Sequence, residues 1–369
     1  MIYLDNSATT KVLPEVRDYM IKYLTEEYGN PSSKYYDLAN NAKTVLDQAR
    51  KNIGKLFCCE EDEVIFTSGA TESNNMILKG VFEQQFGKKD HIIISMIEHS
   101  SVLKTAEYLE SKGCKVTYLP IDKYGKINVD ELISVVTDKT MLVSIMWVNN
   151  ELGTINDIEE IAQICSKKGV YFHTDATQAV GKIDVKLPRG VNFVSFSGHK
   201  IYGPKGIGAT IIRKDNDGVR TKIVPIIHGG EQEFDYRAGT QSVHNIAGLS
   251  KACEICLKNF EKNINILKEQ EYYILRLLEK KLGSKLILNS PLDNKVSGII
   301  NFRIVGIKNV VFLKKISEYI AASAGSACSI TQPSYILKAI GLSESQIEES
   351  IRFSFSPYDQ NITDLEQLL

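Results

Sequence analysis

The chain has 369 residues, 44 Lys plus Arg against 45 Asp plus Glu, a formal net charge of -1 and 43% apolar residues. This length is typical of roughly two domains with a core that needs neither disulfides nor structural metal. The balanced charge provides no overall field that would attract nucleic acid or an anionic membrane. No segment approaches the roughly 18 apolar residues of a membrane span, so we expect a soluble, globular protein.

Short segments rich in β-branched residues predict the strands of one sheet. The predicted strands are 64–67, 92–95, 142–145, 170–173, 193–196 and 209–212. Between most of them, apolar residues recur at helical spacing, for example from Met76 to Phe82 and from Ile158 to Cys165. This alternation predicts an α/β fold, a mostly parallel sheet with helices on both faces.

From Ile246 to Leu267 apolar residues recur every three or four positions, which predicts a long amphipathic helix between two domains. Beyond it the sequence predicts a strand near 298–302 and helices near 310–320 and 334–340. We therefore expect a large domain at residues 15–257 and a smaller α+β domain formed by residues 1–14 with 258–369.

Lys200 is the first candidate for chemistry, because it closely follows the predicted inner strand 193–196. Most lysines are solvated surface charges, but ligands of open α/β sheets bind at the carboxyl ends of the strands. A lysine held there can become a Schiff-base nucleophile. Asp175 follows the strand 170–173; its carboxylate could cap a turn or keep the ring nitrogen of a pyridine cofactor protonated.

Three further loops follow predicted strands. The segment 68–74 combines glycine with small hydroxyl residues at a helix start, which suits a phosphate as well as a simple helix cap. It matches neither the Walker A pattern nor G-x-G-x-x-G, which disfavours a nucleotide. His99 could stack on a planar cofactor or transfer a proton, or could be structural. Asn149 and Asn150 could bind a phenolic oxygen or a substrate carboxylate.

The seven cysteines are an odd number, and the first five residues resemble no signal peptide, which predicts reduced thiols in the cytoplasm. Cys253 and Cys256 lie on the apolar stripe of the long helix, so we interpret them as core residues. Cys328 lies among small residues that predict a loop, where a thiol can move and react. A small residue in a turn explains Cys328 equally well. No structural metal site is expected.

Ordered blocks along nearly the whole chain resemble cysteine desulfurases of the NifS and IscS type, which are class V members of the aminotransferase-like enzymes that use pyridoxal 5'-phosphate (PLP). The matching blocks are 3–10, 29–33, 67–74, 98–99, 148–153, 175–178, 197–200, 237–240, 325–328 and 350–354. The resemblance implies the fold of aspartate aminotransferase with a second, smaller α+β domain.

The resemblance also implies a role for each candidate. Lys200 would bind PLP covalently, with Asp175 at the ring nitrogen. The other cofactor contacts would come from Ala70, Thr71, His99, Asn149, Gln178, Ser197 and His199, with Thr240 reaching across from the second subunit of a homodimer. The substrate L-cysteine would be bound by Asn30, Asn149 and Arg352. The catalytic residues would be Lys200, which removes the Cα proton, His99, which assists proton transfer, and Cys328.

In this interpretation Cys328 attacks the substrate sulfur, becomes a persulfide as L-alanine is released, and passes sulfur to an acceptor. The acceptor would be an iron–sulfur scaffold or a tRNA-thiolation enzyme, with no direct contact to nucleic acid or membrane. Cys328 could also ligate an iron–sulfur cluster transiently. The short segment between Cys328 and Pro333 predicts a limited reach for the thiol.

Two alternatives stay open. Selenocysteine lyase, or another class V PLP enzyme, would use Lys200 and Asp175 unchanged. The second alternative is a non-catalytic homologue that serves as an interaction module. The intact set of candidate catalytic residues argues against it.

Overall fold

The computed structural model describes residues 1–215, 217–325, 333–359 and 362–368. The strands are β1 (Ile2–Tyr3), β2 (Val64–Thr67), β3 (His91–Ser95), β4 (Lys115–Leu119), β5 (Thr140–Ser144), β6 (Tyr171–Asp175), β7 (Phe193–Ser197), β8 (Gly208–Ile212), β9 (Leu286–Leu288), β10 (Ile299–Ile304), β11 (Ile320–Ala321) and β12 (Ser350–Ser354). The helices are α1 (Pro14–Thr25), α2 (Asp37–Phe57), α3 (Ala70–Gln85), α4 (Ser100–Glu110), α5 (Val129–Val135), α6 (Ile158–Lys168), α7 (Val243–Leu282), α8 (Asn309–Ile316), α9 (Tyr335–Ala339), α10 (Glu344–Glu348) and α11 (Leu365–Leu368).

A seven-stranded sheet forms the centre of the larger part, with the strand order β2-β8-β7-β6-β5-β3-β4. The adjacent strands β7, β6, β5, β3 and β4 pair in parallel, whereas β8 runs antiparallel to both of its neighbours, β2 and β7. The six strands predicted from the sequence are confirmed, each boundary within two residues. The prediction missed β4, because this edge strand carries an exposed lysine and half-buried residues rather than a continuous apolar run.

Alternating side chains of the sheet enter two separate cores, as expected for a sheet covered on both faces. On β2, Val64 and Phe66 pack in a core with α2 and the first part of α7. Ile65, between them, packs in a second core with α3 and α4 on the opposite face. These two cores confirm the predicted α/β fold class.

The smaller part contains an antiparallel sheet with the order β12-β10-β9, next to the parallel pair β1-β11. Its core joins these strands to the second half of α7, through residues such as Ile274 and Leu277. The helix α7 has 40 residues and begins in the core of the large sheet, where Ile246 is buried. It therefore connects the two cores, as the amphipathic pattern predicted. Within the described residues, no helix combines the length and the hydropathy that crossing a bilayer requires.

Gly208 stands where three backbone segments come close together. A Cβ atom at this position would lie 2.4 Å from the carbonyl oxygen of Phe196 and 2.7 Å from the Cα of Gly69. Both neighbours are backbone atoms, so no side chain can rotate away to make room.

We predict that Gly208→Ala lowers the free energy of unfolding by about 2 kcal/mol, because overpacking forces the backbone to shift. Urea unfolding measures this change. The control is Gly218→Ala, where a Cβ meets no atom within 4 Å and only the φ of +77° is strained; we expect a loss of about 1 kcal/mol there. Equal losses in the two variants would contradict the packing argument.

Candidate active site

Loops that follow the parallel strands meet at one edge of the large sheet and enclose a cavity of about 270 Å³. Asp175 ends β6, Ser197 ends β7 and His99 follows β3, which brings distant parts of the sequence together. Arg352 reaches the same cavity from β12 of the smaller part. The lining includes nine of the residues predicted from the sequence, namely Ala70, Thr71, His99, Asp175, Gln178, Ser197, His199, Lys200 and Arg352.

The N-terminal segment positions Lys200. The Lys200 Nζ donates hydrogen bonds to the carbonyl oxygens of Ser7 and Ala8, each at 2.5 Å. The backbone of this segment is in turn attached to the lysine loop, since the N–H of Thr10 donates to the carbonyl oxygen of His199 at 2.9 Å. The amine is therefore oriented at the cavity wall by main-chain atoms that cannot ionise.

Asp175 is a buried carboxylate whose two oxygens both accept hydrogen bonds. Its Oδ1 accepts from the N–H of Thr177 at 2.9 Å, and its Oδ2 accepts from the side-chain amide of Asn74 at 2.8 Å. The side chain is fixed at the end of β6 and faces the cavity. A fixed acceptor of this kind is suited to a protonated ring nitrogen.

The start of α3 forms the opposite end of the cavity. Gly69 precedes the helix with a φ of 150°, a conformation that side chains other than glycine rarely adopt. The N–H of Ala70 donates to Ser197 Oγ at 2.7 Å, so a hydroxyl lies directly at the positive end of the helix. Such a helix start, with its N–H groups, is a common binding site for phosphate.

His199 borders this end of the cavity, and its Nδ1 lies 3.1 Å from the hydroxyl of Thr9. Burial, together with the positive charges of Lys200 and Lys205, lowers the pKa of His199 to about 4. His199 is therefore neutral at pH 7, and it can contact an anion through a hydrogen bond rather than through a full charge.

Four buried polar atoms of lining residues support the presence of a polar ligand. Ser7 Oγ, Asn150 Oδ1, Thr177 Oγ1 and Arg352 Nε have no hydrogen-bond partner within the part of the chain that the structure describes. Unpaired buried polar atoms are costly, and a ligand is one way to satisfy them. Together with an amine, a fixed carboxylate and a helix start around one cavity, these residues fit PLP.

Three other predicted residues, all described by the structure, do not line the cavity of this chain. Asn149 is fully buried, and its Oδ1 accepts from the N–H groups of Glu151 and Leu152, so Asn150 lines the cavity in its place. Asn30 and Thr240 are exposed and do not line the cavity. Cys328 lies outside the described residues. Cys253 and Cys256 are buried in the core, as interpreted from the sequence.

Sequence reasoning missed Lys182, which lies behind the cavity wall. Its Nζ donates to Gln178 Oε1 at 3.2 Å, and the amide nitrogen of Gln178 donates to the carbonyl oxygen of Ser7 at 3.0 Å. Burial lowers the pKa of Lys182 to about 8. The only signal in the sequence was its position four residues after Gln178.

Glu98 is a second residue that the sequence did not single out. Burial raises its pKa to about 8, although the hydroxyl of Ser95 and the N–H of Met146 both donate to Oε1. The carbonyl oxygen of Glu98 accepts from the hydroxyl of Tyr335 at 2.6 Å, which attaches α9 to the loop of His99. Glu98 is therefore a buried acid that is largely uncharged at pH 7.

Comparison with known proteins agrees with this geometry. The chain is 42% identical over 361 residues to the cysteine desulfurase IscS of Dictyoglomus turgidum, covering 97% of this chain and 90% of the relative. A solved structure of a NifS-like protein superposes with a TM-score of 0.90 at 35% identity, covering 99% of this chain and 98% of that one. SspA, solved in complex with cysteine, gives 0.86 at 34% identity, with 98% and 100% covered.

A family model described as aminotransferase class V matches residues 2–368, which is nearly the whole chain. The match includes every loop that lines the cavity. The chain belongs to the class V aminotransferase family of PLP-dependent enzymes.

Proposed function

We propose that this protein is a cysteine desulfurase, which takes sulfur from L-cysteine, releases L-alanine and carries the sulfur as a persulfide on Cys328. The observation that carries the proposal is the convergence of Lys200, Asp175, the start of α3 and Arg352 on one cavity. Relatives named as cysteine desulfurases, about 40% identical over 97% of this chain, support it.

The residues on either side of Cys328 support its place in the reaction. Ser323 exchanges two backbone hydrogen bonds with Arg352, at 2.7 and 3.4 Å. On the other side, the hydroxyl of Ser334 donates to Glu151 at 2.6 Å. The described residues that flank the segment of Cys328 are thus hydrogen-bonded to Arg352, which lines the cavity, and to Glu151, which follows the lining residue Asn150.

We assign the cofactor contacts as follows. Lys200 would bind PLP, Asp175 would contact the ring nitrogen, and His99 would lie over the ring. Gln178 would contact the ring hydroxyl, while Ala70, Thr71, Ser197, His199 and the Thr240 of a second subunit would bind the phosphate. When bound, PLP supplies an electron sink that makes the Cα proton of an amino acid removable. Lys200, held at the cavity wall, would take that proton.

Arg352, which lines the cavity, would bind the carboxylate of the substrate. Its side chain is buried; Nη2 lies 2.6 Å from Asp5 Oδ1, and Nη1 donates to the carbonyl oxygen of Asn150 at 3.1 Å. These two contacts fix the plane of the guanidinium and leave Nε as a donor without a partner among the described residues. A planar guanidinium can form two parallel hydrogen bonds with a carboxylate, whereas the ammonium of a lysine cannot.

We further propose that residues 15–257 form the large PLP-binding domain and that residues 1–14 with 258–369 form the small one.

The exposed position of Thr240 supports a homodimer in which Thr240 of one subunit contacts the phosphate in the cavity of the other. The six described cysteines are all free thiols, which supports a cytoplasmic location. The sulfur acceptor would be an iron–sulfur scaffold or a tRNA-thiolation enzyme.

The first test is a single turnover of the PLP-loaded protein with L-cysteine and no reductant. We expect one sulfur atom to be added at Cys328 and an equal amount of L-alanine to be released, as measured by mass spectrometry of the protein and amino-acid analysis. Cys328→Ala should abolish the added mass, whereas the control Cys58→Ala, at an exposed cysteine, should not. Alanine without a persulfide on Cys328 would contradict the proposal and favour a lyase.

Arg352→Lys tests the assignment of the substrate carboxylate. We expect KM for L-cysteine to rise about 10- to 100-fold, because an ammonium replaces two parallel hydrogen bonds with one and shifts its position. The control is Arg303→Lys on β10, where the arginine pairs with Glu349 at 3.5 Å. An unchanged KM in Arg352→Lys, with PLP bound normally, would show that another residue binds the carboxylate.

Lys182→Met tests whether this lysine orients Gln178. An ammonium can only donate, so it fixes Gln178 with Oε1 facing Lys182 and the NH₂ facing Ser7 and the cavity. We expect PLP affinity to fall about tenfold and the absorption maximum of the bound cofactor to shift. The exposed Lys186, four residues on, provides the control Lys186→Met. Identical affinity and spectrum in both variants would contradict this role.

A further inference from the structure

The ring of His99 caps the helix α4, which it immediately precedes. Its Nδ1 accepts a hydrogen bond from the backbone N–H of Ser101 at 3.1 Å. A backbone N–H can only donate, so Nδ1 has to provide a lone pair. In a neutral imidazole whose Nδ1 is an acceptor, the proton lies on Nε2. The backbone at the start of α4 therefore selects one tautomer of His99.

A chain of side-chain hydrogen bonds selects the same tautomer. The two hydrogens of the Asn74 amide are donated to Asp175 Oδ2 and to Ser101 Oγ, each at 2.8 Å. Because Ser101 Oγ accepts from Asn74, its own hydrogen is available for His99 Nδ1, which lies 2.8 Å away. Asn74 is fully buried and Ser101 nearly so, so solvent does not compete for these contacts.

Protonation of His99 would require this arrangement to open. An imidazolium carries a hydrogen on both nitrogens, so its Nδ1–H would point at the N–H of Ser101. The ring also lies at the positive end of an 11-residue helix, which disfavours a cation. Both effects favour the neutral ring.

The other ionisable groups that line the cavity come from different elements. They are Asp175 at the end of β6, His199 and Lys200 in the loop after β7, and Arg352 on β12. Asp175 is the one lining group among the described residues that can carry a negative charge and so favour a positive charge on His99, and His199 is neutral at pH 7. Lys200 and Arg352 act against it. Glu98, which precedes His99, is a buried acid with a raised pKa.

We propose that His99 acts as a neutral imidazole that donates a hydrogen bond through its Nε2–H to an electron-rich atom of the bound substrate. It is then neither a general acid nor a general base, and proton transfer is left to Lys200. This role differs from the proton transfer that the family resemblance implied. A neutral histidine at a helix start can polarise a bound group in this way. The catalytic meaning of this inference rests on the proposed function, but the tautomer does not.

The test is NMR of the PLP-loaded protein with ¹⁵N-labelled histidine. The chain has six histidines, and the loss of one signal in His99→Gln assigns the residue. From pH 6 to pH 9 we expect the His99 signals of a neutral ring with hydrogen on Nε2 only. Formation of the imidazolium above pH 6, or a hydrogen on Nδ1, would overturn the proposal.

Ser101→Ala tests the side-chain part of the network, because it removes the hydroxyl and keeps the backbone N–H. We expect the pH midpoint of His99 protonation to rise by about one pH unit, the value of one lost hydrogen bond. The control is Ser100→Ala in the same helical turn, where the midpoint should stay as in the wild type. Equal midpoints in both variants would refute the role of Ser101.

Alanine release from L-cysteine, measured on the same samples, separates the two proposals. A neutral His99 in a PLP-loaded protein that releases no alanine would refute the desulfurase and leave the tautomer intact. If the protein releases alanine while His99 is an imidazolium at pH 7, the proposal of a neutral His99 fails and the desulfurase proposal stands.

Discussion

The direction of the strands in the large sheet is the constraint on which the rest of this structure depends. Because β3, β5, β6 and β7 run in parallel, the loops that follow them meet at one edge. His99, Asp175 and Lys200 become neighbours for this reason, although about 100 residues of sequence separate the first from the last. The reversed strand β8 lies outside this group and contributes packing, since Gly208 allows the backbones of β7 and of the α3 start to approach.

Charge around the cavity is controlled by burial. His173, on β6 below Asp175, contacts the hydroxyls of Ser144 and Ser195, and burial lowers its pKa to about 4. Glu98 is buried as a largely neutral acid. Two ionisable groups near Asp175, His173 and Glu98, are therefore largely neutral, and Asn74 and Thr177 donate to its two oxygens. In a low-dielectric site this arrangement strengthens the field of one carboxylate, and electrostatic preorganisation of this kind is a major source of catalysis.

The site joins the two cores of the molecule. Arg352 belongs to the small sheet, and its partners Asp5 and Asn150 come from the N-terminal segment and from a loop of the large sheet. Lys200 of the large part donates to main-chain atoms of the same N-terminal segment. A movement of the smaller part would therefore change the proposed substrate site and the orientation of the lysine together. The 40-residue helix α7 connects the same two cores away from the cavity.

Much of the fold and most of the cavity were predictable from the sequence, because their signals are local. Buried strands such as β7 are short runs of apolar and β-branched residues, and α7 shows its period directly. The motifs around Lys200, Asp175 and His99 follow these strands and could be located by the resemblance. The edge strand β4 has no such signal, since its residues before Leu119 are exposed or half-buried and do not form a continuous apolar run.

The sequence by itself thus determined the class of fold, the family and the residues that carry charge or a nucleophile at the strand ends. Tertiary structure alone decided which polar groups form hydrogen bonds with these residues. Asn74 meets Asp175 across 101 positions, and Ser7 meets Lys200 across 193. It also decided that Asn150, rather than Asn149, lines the cavity and that the Nδ1 of His99 is an acceptor. Such contacts depend on strand order and loop direction, and a hydrogen bond between distant residues leaves no periodic trace in a sequence.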